Sequence, residues 1–294
     1  MPVAVVTDST AYLPAAVLEK YGIEVVPLYV VLAGRSGREG SDIGPEDVAR
    51  ALSVRGQSVS TSRPTPGDFV AAYRQCLDTG ADRLVSIHLS SELSSTADAA
   101  RLAASQVGEH LVTVVDSRST AMGMGFAVMA AARAAAEGAA AAAVVDVARD
   151  TAAATRTFFV VDTLEHLRRG GRIGSAAALL GTALSVKPVL HVQEGRVVPL
   201  EKVRTTARAV NRLVQLAVGA ADGPVALAVH HLAAPERAER LAAELRQQVP
   251  DLAELYVSEL GAAIGAHVGP GAVGVVIAPS PSPLTEPDRG SSQG

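Results

Sequence analysis

Strand-like and helix-like stretches alternate through the first half of the chain. Val3 to Val6, Val25 to Leu32, Arg83 to Leu89 and Leu111 to Val115 are short runs of β-branched and aliphatic residues, as strands require. Between them, Pro14 opens and Gly22 closes one helical stretch, and Pro45 opens a second. Pro66 with Asp68 opens a third, which carries Phe69, Ala72, Tyr73 and Cys76 on one face. The segments "GRSGREGSDIG" and "STSRPTPGDF" read as loops, and "SSELSSTADAARLAA" as a loop turning into a helix. From Ala121 to Val145 the chain is mostly alanine, a strong helix former, with Gly138 as the expected break. Arg133 and Glu137 stand four apart there and are expected to pair.

After residue 160 the rhythm changes. "LEHLRRGGRIGSAAALLGTAL" predicts a helix, a Gly-Gly break and a second helix. "VKPVLHVQEGRVVPLEKVRT" alternates apolar and polar positions around Glu194-Gly195, which predicts a β-hairpin. Thr205 to Gly219 sets Val210, Leu213, Val214 and Ala217 on one helical face. Val225 to His230, Leu255 to Ser258 and Val273 to Ala278 predict strands, with a helix from Pro235 to Gln248. Strand alternating with helix implies a parallel α/β unit in the first half, and hairpins mixed with crossovers imply a mixed sheet in the second. Three strands end alike, in "VVTDS", "VVDS" and "VVDT". Ligands of parallel α/β sheets bind beyond the carboxyl ends of strands, although Asp-Ser and Asp-Thr are also ordinary turn and cap chemistry.

Length and composition narrow the field. The 294 residues suit two domains, and 48% of them are hydrophobic, enough for sizeable cores. Aromatic residues make up 3%, and the net charge of −4 comes from 26 basic and 30 acidic residues. Neither a basic footprint nor stacking platforms for nucleic acid are present, so no nucleic-acid partner is expected. Cys76 is the single cysteine, which excludes an internal disulfide and suits a reducing, cytoplasmic setting. "MPVAVVTDST" has no basic leader, and the alanine-rich stretch is interrupted by charges. No integral membrane segment is therefore expected, while transient membrane contact stays open. The tail "PSPSPLTEPDRGSSQG" has the composition of a disordered segment.

Four kinds of chemistry can be weighed. Ser94, His267 and Asp116 are available for a hydrolase, but no G-x-S-x-G elbow occurs. The seven histidines show no metal-ligand spacing, so no metal and no cofactor is expected; His230 and His231 should face opposite sides of a strand. "RRGGRIG" lacks the lysine of a phosphate loop, yet a helix corner would not need Arg172. The fourth is an anion site: hydroxyls at Ser60, Thr61 and Ser62, and at Ser94, Ser95 and Thr96, stand before helices, where free N–H groups favour a carboxylate or phosphate.

"VAVVTDSTAYLP", "TSRPTPGDF", "LSSTADAA", "VVDSRSTAMGMG", "LEHLRRGGRIG" with "LLGTALSVKPVL", and "IGAHVGPGAVG" resemble the DegV family, in its order, over residues 3 to 278. The resemblance implies two α/β domains: a three-layer parallel domain at 1–157 and a domain with a mixed sheet at 158–280, followed by the tail at 281–294. It also implies a fatty acid tunnel at their junction. By this likeness the chain has no catalysis of its own. It would present a long-chain fatty acid to a separate fatty acid kinase subunit related to dihydroxyacetone kinase, giving an acyl phosphate for phospholipid synthesis. Thr61, Ser94 and His267 would hold the carboxylate, with Arg172, Ser62, Ser95 and Gly269 near the head group or the partner surface. Arg63 stands where the family has Gln, and Ser95 where it has Gly. Met122, Met124 and Met129 are candidates for adaptable lining as well as for core packing. The rival readings are a small hydrolase or transferase using the same Ser/Thr/His cluster, and a sensor of an anionic metabolite.

Overall fold

The computed structural model describes residues 2–54, 56–179 and 187–280. Its first half runs β1 (Val3–Asp8), α1 (Ala15–Tyr21), β2 (Glu24–Val26), β3 (Tyr29–Leu32), β4 (Arg35–Arg38), α2 (Pro45–Ser53) and β5 (Val59–Ser62). It continues with α3 (Pro66–Asp78), β6 (Arg83–His88), α4 (Thr96–Val107), β7 (Val112–Asp116), α5 (Met122–Ala136) and α6 (Ala141–Ala154). The second half runs β8 (Arg156–Val160), α7 (Glu165–Arg169), a 3₁₀ turn (Gly174–Leu179), β9 (Lys187–Gln193) and β10 (Arg196–Val203). After these come α8 (Thr206–Ala220), β11 (Val225–His231), α9 (Pro235–Gln248), β12 (Leu252–Glu259), α10 (Ala262–Val268) and β13 (Val273–Pro279).

Two sheets organise these elements. Strands β2-β1-β6-β7 form a parallel sheet, and β10-β9-β8-β13-β11-β12 a mixed one in which only β11 and β12 run parallel. Helices α3 and α4 cover one face of the parallel sheet through Phe69, Tyr73, Ala100 and Ala103. Helix α5 covers the other face through Met124, Val128 and Ala131. Its opposite side, Met122 and Phe126, packs on Ala226, Ala228 and Val276 of the mixed sheet. An α-helix buried on two sides has no polar face to keep, which explains the alanine-rich sequence. The far face of the mixed sheet is closed by α8 and α9. Met122 and Met124 are therefore core residues between layers, and no described methionine lines the main cavity.

Local signals account for most boundaries. Thr65 caps α3 by accepting the Asp68 N–H while Asp68 accepts the Thr65 N–H. Glu194 and Gly195 take φ of 50° and 80°, the left-handed pair that a two-residue hairpin turn needs. Gly138, at φ 85°, separates α5 from α6 as expected.

Several expectations need correction. Val25 to Leu32 is two strands: Pro27 offers no N–H, and Leu28 turns away to donate to Ser9 and accept from Glu39. Strand β3 then builds a third, antiparallel sheet, β4-β3-β5, out of segments expected to be loops. Thr61 thus sits on a strand rather than before a helix. Glu137 is the C-cap of α5, and no ion pair joins it to Arg133 among the described residues. The second Gly-Gly-linked helix begins as a 3₁₀ turn; its remainder and the tail at 281–294 lie outside the described residues. Among those residues no helix is long and apolar enough to cross a membrane.

Candidate functional site

The parallel strands point their carboxyl ends at one place. The segments that follow β1, β6 and β7 bring Thr10, then Leu89, Leu93 and Ser94, then Thr120 and Ala121 to the wall of a cavity between the sheets. From the mixed sheet come Thr157, Phe159, His230 and Val276, and from α10 come Ile264, His267 and Val268. The free space among these residues, open solvent at the mouth included, is about 990 Å³.

Polar groups gather at one end. Thr61 on β5 and His267 in the last turn of α10 are 206 positions apart, and the Thr61 Oγ1 to His267 Nε2 distance is 2.8 Å. Arg172 Nε donates to the carbonyl of Leu93 at 2.8 Å, next to Ser94, and its Nη1 donates to the carbonyl of Gly170 at 2.5 Å. Gly170 touches His267 in turn: a Cβ there would overlap the Nδ1 position. Ser94 shares a 2.8 Å hydrogen bond with Thr96. Ser62 and Arg63 complete the mouth. Burial, with the Arg172 charge adding to it, lowers the His267 pKa to about 4, so the ring is neutral near pH 7. Its Nδ1 is buried without a partner among the described residues. A proton on Nε2, donated to Thr61, leaves only a lone pair unsatisfied and frees the threonine hydroxyl to donate into the cavity.

Two candidates stand elsewhere. Ser95 is exposed at the start of α4 and does not line the cavity; at φ −79° and ψ 24° it stands in a position that does not need glycine. Gly269 ends α10 at φ 75°, and its missing side chain makes room for the ring of His166 rather than for a ligand.

The position of α10, and with it His267, depends on a residue that the sequence did not single out. Glu39 is 7% exposed, and its carboxylate accepts from Ser9 Oγ, from the Tyr12 hydroxyl at 3.1 Å and from the Ala263 N–H at 2.8 Å. The Ile264 N–H donates to the Tyr12 oxygen at 3.3 Å. Burial raises the pKa of both Glu39 and Tyr12. A lone acid in a polar stretch carried no signal of this.

A Ser-His-Asp line does exist, away from the one considered from sequence. Tyr73 donates to Ser86 at 2.8 Å, Ser86 Oγ meets His88 Nε2 at 2.6 Å, and His88 Nδ1 meets Asp8 at 3.0 Å. Ser86, His88 and Asp8 are all fully buried and none lines the cavity, so the serine does not face a substrate. Of the expected trio, Ser94 pairs with Thr96, His267 with Thr61, and Asp116 with the N–H groups of Ser91 and Arg118. Asp162, the third strand-end acid, forms ion pairs with Lys187 and Arg237. His230 and His231 do face opposite ways, the first buried and the second partly exposed.

Comparison with known proteins gives a consistent result. A family model described as "Uncharacterised protein, DegV family" matches residues 2–280. A DegV domain-containing protein of Streptomyces coelicolor is 53% identical, over 94% of this chain and 98% of that protein. Protein DegV of Bacillus subtilis is 37% identical over 94% of this chain and 98% of its own length. The solved structure of a DegV family protein from Thermus thermophilus, described by its fatty acid binding, superposes with a TM-score of 0.90 at 36% identity. It covers 95% of this chain and 100% of that one. DegV of Bacillus subtilis, described as a fatty acid binding protein, superposes at 0.86 with 35% identity and the same coverage.

Proposed function

Because the chain belongs to the DegV family, we propose that it binds one long-chain fatty acid, its carboxylate at Thr61, Ser94 and His267 and its chain along the cavity. The observation that carries this reading is the cavity itself: apolar walls with a cluster of hydrogen-bonding groups at one end. Burying a carboxylate is costly unless donors meet it. The Thr61 hydroxyl, oriented by neutral His267, and the Ser94 hydroxyl can donate, while Arg172 and Arg63 supply positive charge nearby. Each buried CH₂ contributes about 0.8 kcal/mol, so a long acyl chain gives on the order of 10 kcal/mol before ordering costs.

In this reading the chain is a cytoplasmic carrier with no turnover of its own. It presents the carboxylate to a separate fatty acid kinase, forming an acyl phosphate that feeds phospholipid synthesis. The mouth lined by Ser62, Arg63 and Arg172 is where the carboxylate would meet the kinase. Native mass spectrometry of the freshly purified protein, followed by organic extraction, tests the first step. A mass increment equal to one fatty acid, released on denaturation, is expected. A bare mass that stays unchanged after incubation with a panel of fatty acids overturns the reading. Thr61→Ala, Ser94→Ala and His267→Ala should each weaken binding by about 1.5–3 kcal/mol.

A further inference from the structure

The cavity also holds polar groups that a plain hydrocarbon chain leaves without partners. Thr120, in the turn before α5, and Thr157, on β8, both line it. Both hydroxyl oxygens are buried, and neither has a hydrogen-bond partner among the described residues. The neighbouring polar groups are already engaged. Thr10 donates to Asp8 at 2.5 Å. His230 Nε2 accepts the Met122 N–H at 3.2 Å, so the proton is on Nδ1, which donates to Ser258 at 3.0 Å. Apart from His267 Nδ1 at the head-group cluster, the buried side-chain polar atoms without a partner among the described residues are those of these two threonines.

The backbone at this point is unusual. Ala121 has φ 52° and ψ −147°, a conformation costly for any residue but glycine, and such strain clusters at ligand sites. A Cβ on Gly123 would overlap the Ser119 hydroxyl and come within 2.7 Å of the Thr157 hydroxyl, so glycine there lets both side chains pack against α5.

We propose that Thr120 and Thr157 form a second, polar subsite inside the acyl cavity, and that this subsite takes a hydroxyl group carried on the chain of the fatty acid. The proposal rests on the fatty acid reading above. A chain hydroxyl can accept from one threonine and donate to the other. A methylene in the same place leaves both threonines unsatisfied, and sites built to bind a hydroxyl discriminate strongly against the ligand that lacks it.

The test uses the full chain stripped of lipid. Octadecanoic acid and a series of monohydroxyoctadecanoic acids, each with the hydroxyl at a different carbon, compete with a fluorescent fatty acid. One position of the hydroxyl is expected to bind on the order of tenfold tighter than the plain acid. In the nearly isosteric double variant Thr120→Val with Thr157→Val, that preference should vanish and the plain acid should bind tighter than to wild type. Equal or weaker binding of every hydroxylated acid to the wild type overturns the proposal, as it would if water already satisfied the threonines. A preference that survives in the valine variant overturns it too. If neither kind of acid binds, the fatty acid reading falls and the subsite with it; if only the plain acid binds well, the subsite falls alone. The wild-type series decides the matter even if the variant folds poorly.

Discussion

Gly170→Ala tests how His267 is held. Gly170 has φ −74° and ψ −10°, which alanine adopts freely; at such a position the change ordinarily stabilises by about 0.4–1 kcal/mol. Here the new Cβ would overlap His267 Nδ1 and lie 2.7 Å from Cε1. Carbon contacts settle at roughly 3.5–4.0 Å, so the ring has to retreat by about 1 Å. The 2.8 Å contact with Thr61 then stretches beyond hydrogen-bonding range or is driven into a clash. The open cavity gives the ring somewhere to go, so the strain should not spread through the fold.

The expected result is a fatty acid Kd raised about 10- to 150-fold, equivalent to about 1.5–3 kcal/mol for a lost hydrogen bond to a charged group. The midpoint of thermal unfolding should change little. Displacement of a fluorescent fatty acid gives the first quantity and calorimetry the second. Gly171→Ala is the control. Gly171 has φ 71° with open space around it, so alanine strains the backbone by about 1–2 kcal/mol and leaves His267 untouched. Its stability should fall with affinity unchanged. Wild-type affinity in Gly170→Ala, or an affinity loss in Gly171→Ala alone, refutes the reasoning.

Three further outcomes follow from buried polar groups. His230 and His267 both have pKa values lowered to about 4 by burial, against 6.5 unfolded, so the unfolded chain takes up protons first as pH falls. Their contribution to stability is complete above pH 6.5 and is lost between 6.5 and 4, up to about 3 kcal/mol each. Urea unfolding of wild type and His267→Gln across this range should give a shallower slope for the variant; parallel curves would count against it. Glu39→Ala strips an acceptor from Ser9, Tyr12 and Ala263, and should cost about 2–4 kcal/mol in urea and weaken fatty acid binding through α10; Glu39→Gln, which keeps one carbonyl oxygen, should cost less. Tyr73→Phe breaks the buried line through Ser86 and His88 and should cost about 1–2 kcal/mol, while fatty acid affinity stays at the wild-type value because that line is sealed from the cavity.

What could be read in advance follows from the range of each interaction. Strands such as β1, β6 and β7 and the hairpin at Glu194-Gly195 are recorded in local patterning, so they were legible. Strand β5 was not, because "VSTS" has the composition of a loop and becomes a strand only by pairing with β3. Pro27 was the available clue that β2 and β3 part company. The site shows the same division. Taken one at a time, Thr61, Ser94 and His267 look like turn and cap residues, and family likeness rather than spacing brought them together. Glu39 and Gly170 carry no family-independent mark at all: one is an acid in a polar stretch, the other a glycine beside another glycine. Each matters through a contact with α10, a helix of seven residues too short to show a period. The strand-end acids were read as caps or ligands, and the fold resolves the choice by geometry. Asp8 is spent on Thr10, His88 and the Leu89 N–H, and Asp116 on backbone N–H groups, so the turns after β1, β6 and β7 are held in place. Those turns carry Thr10, Ser94 and Thr120 to the cavity wall. The acids build the frame, and residues a few positions beyond them line the cavity.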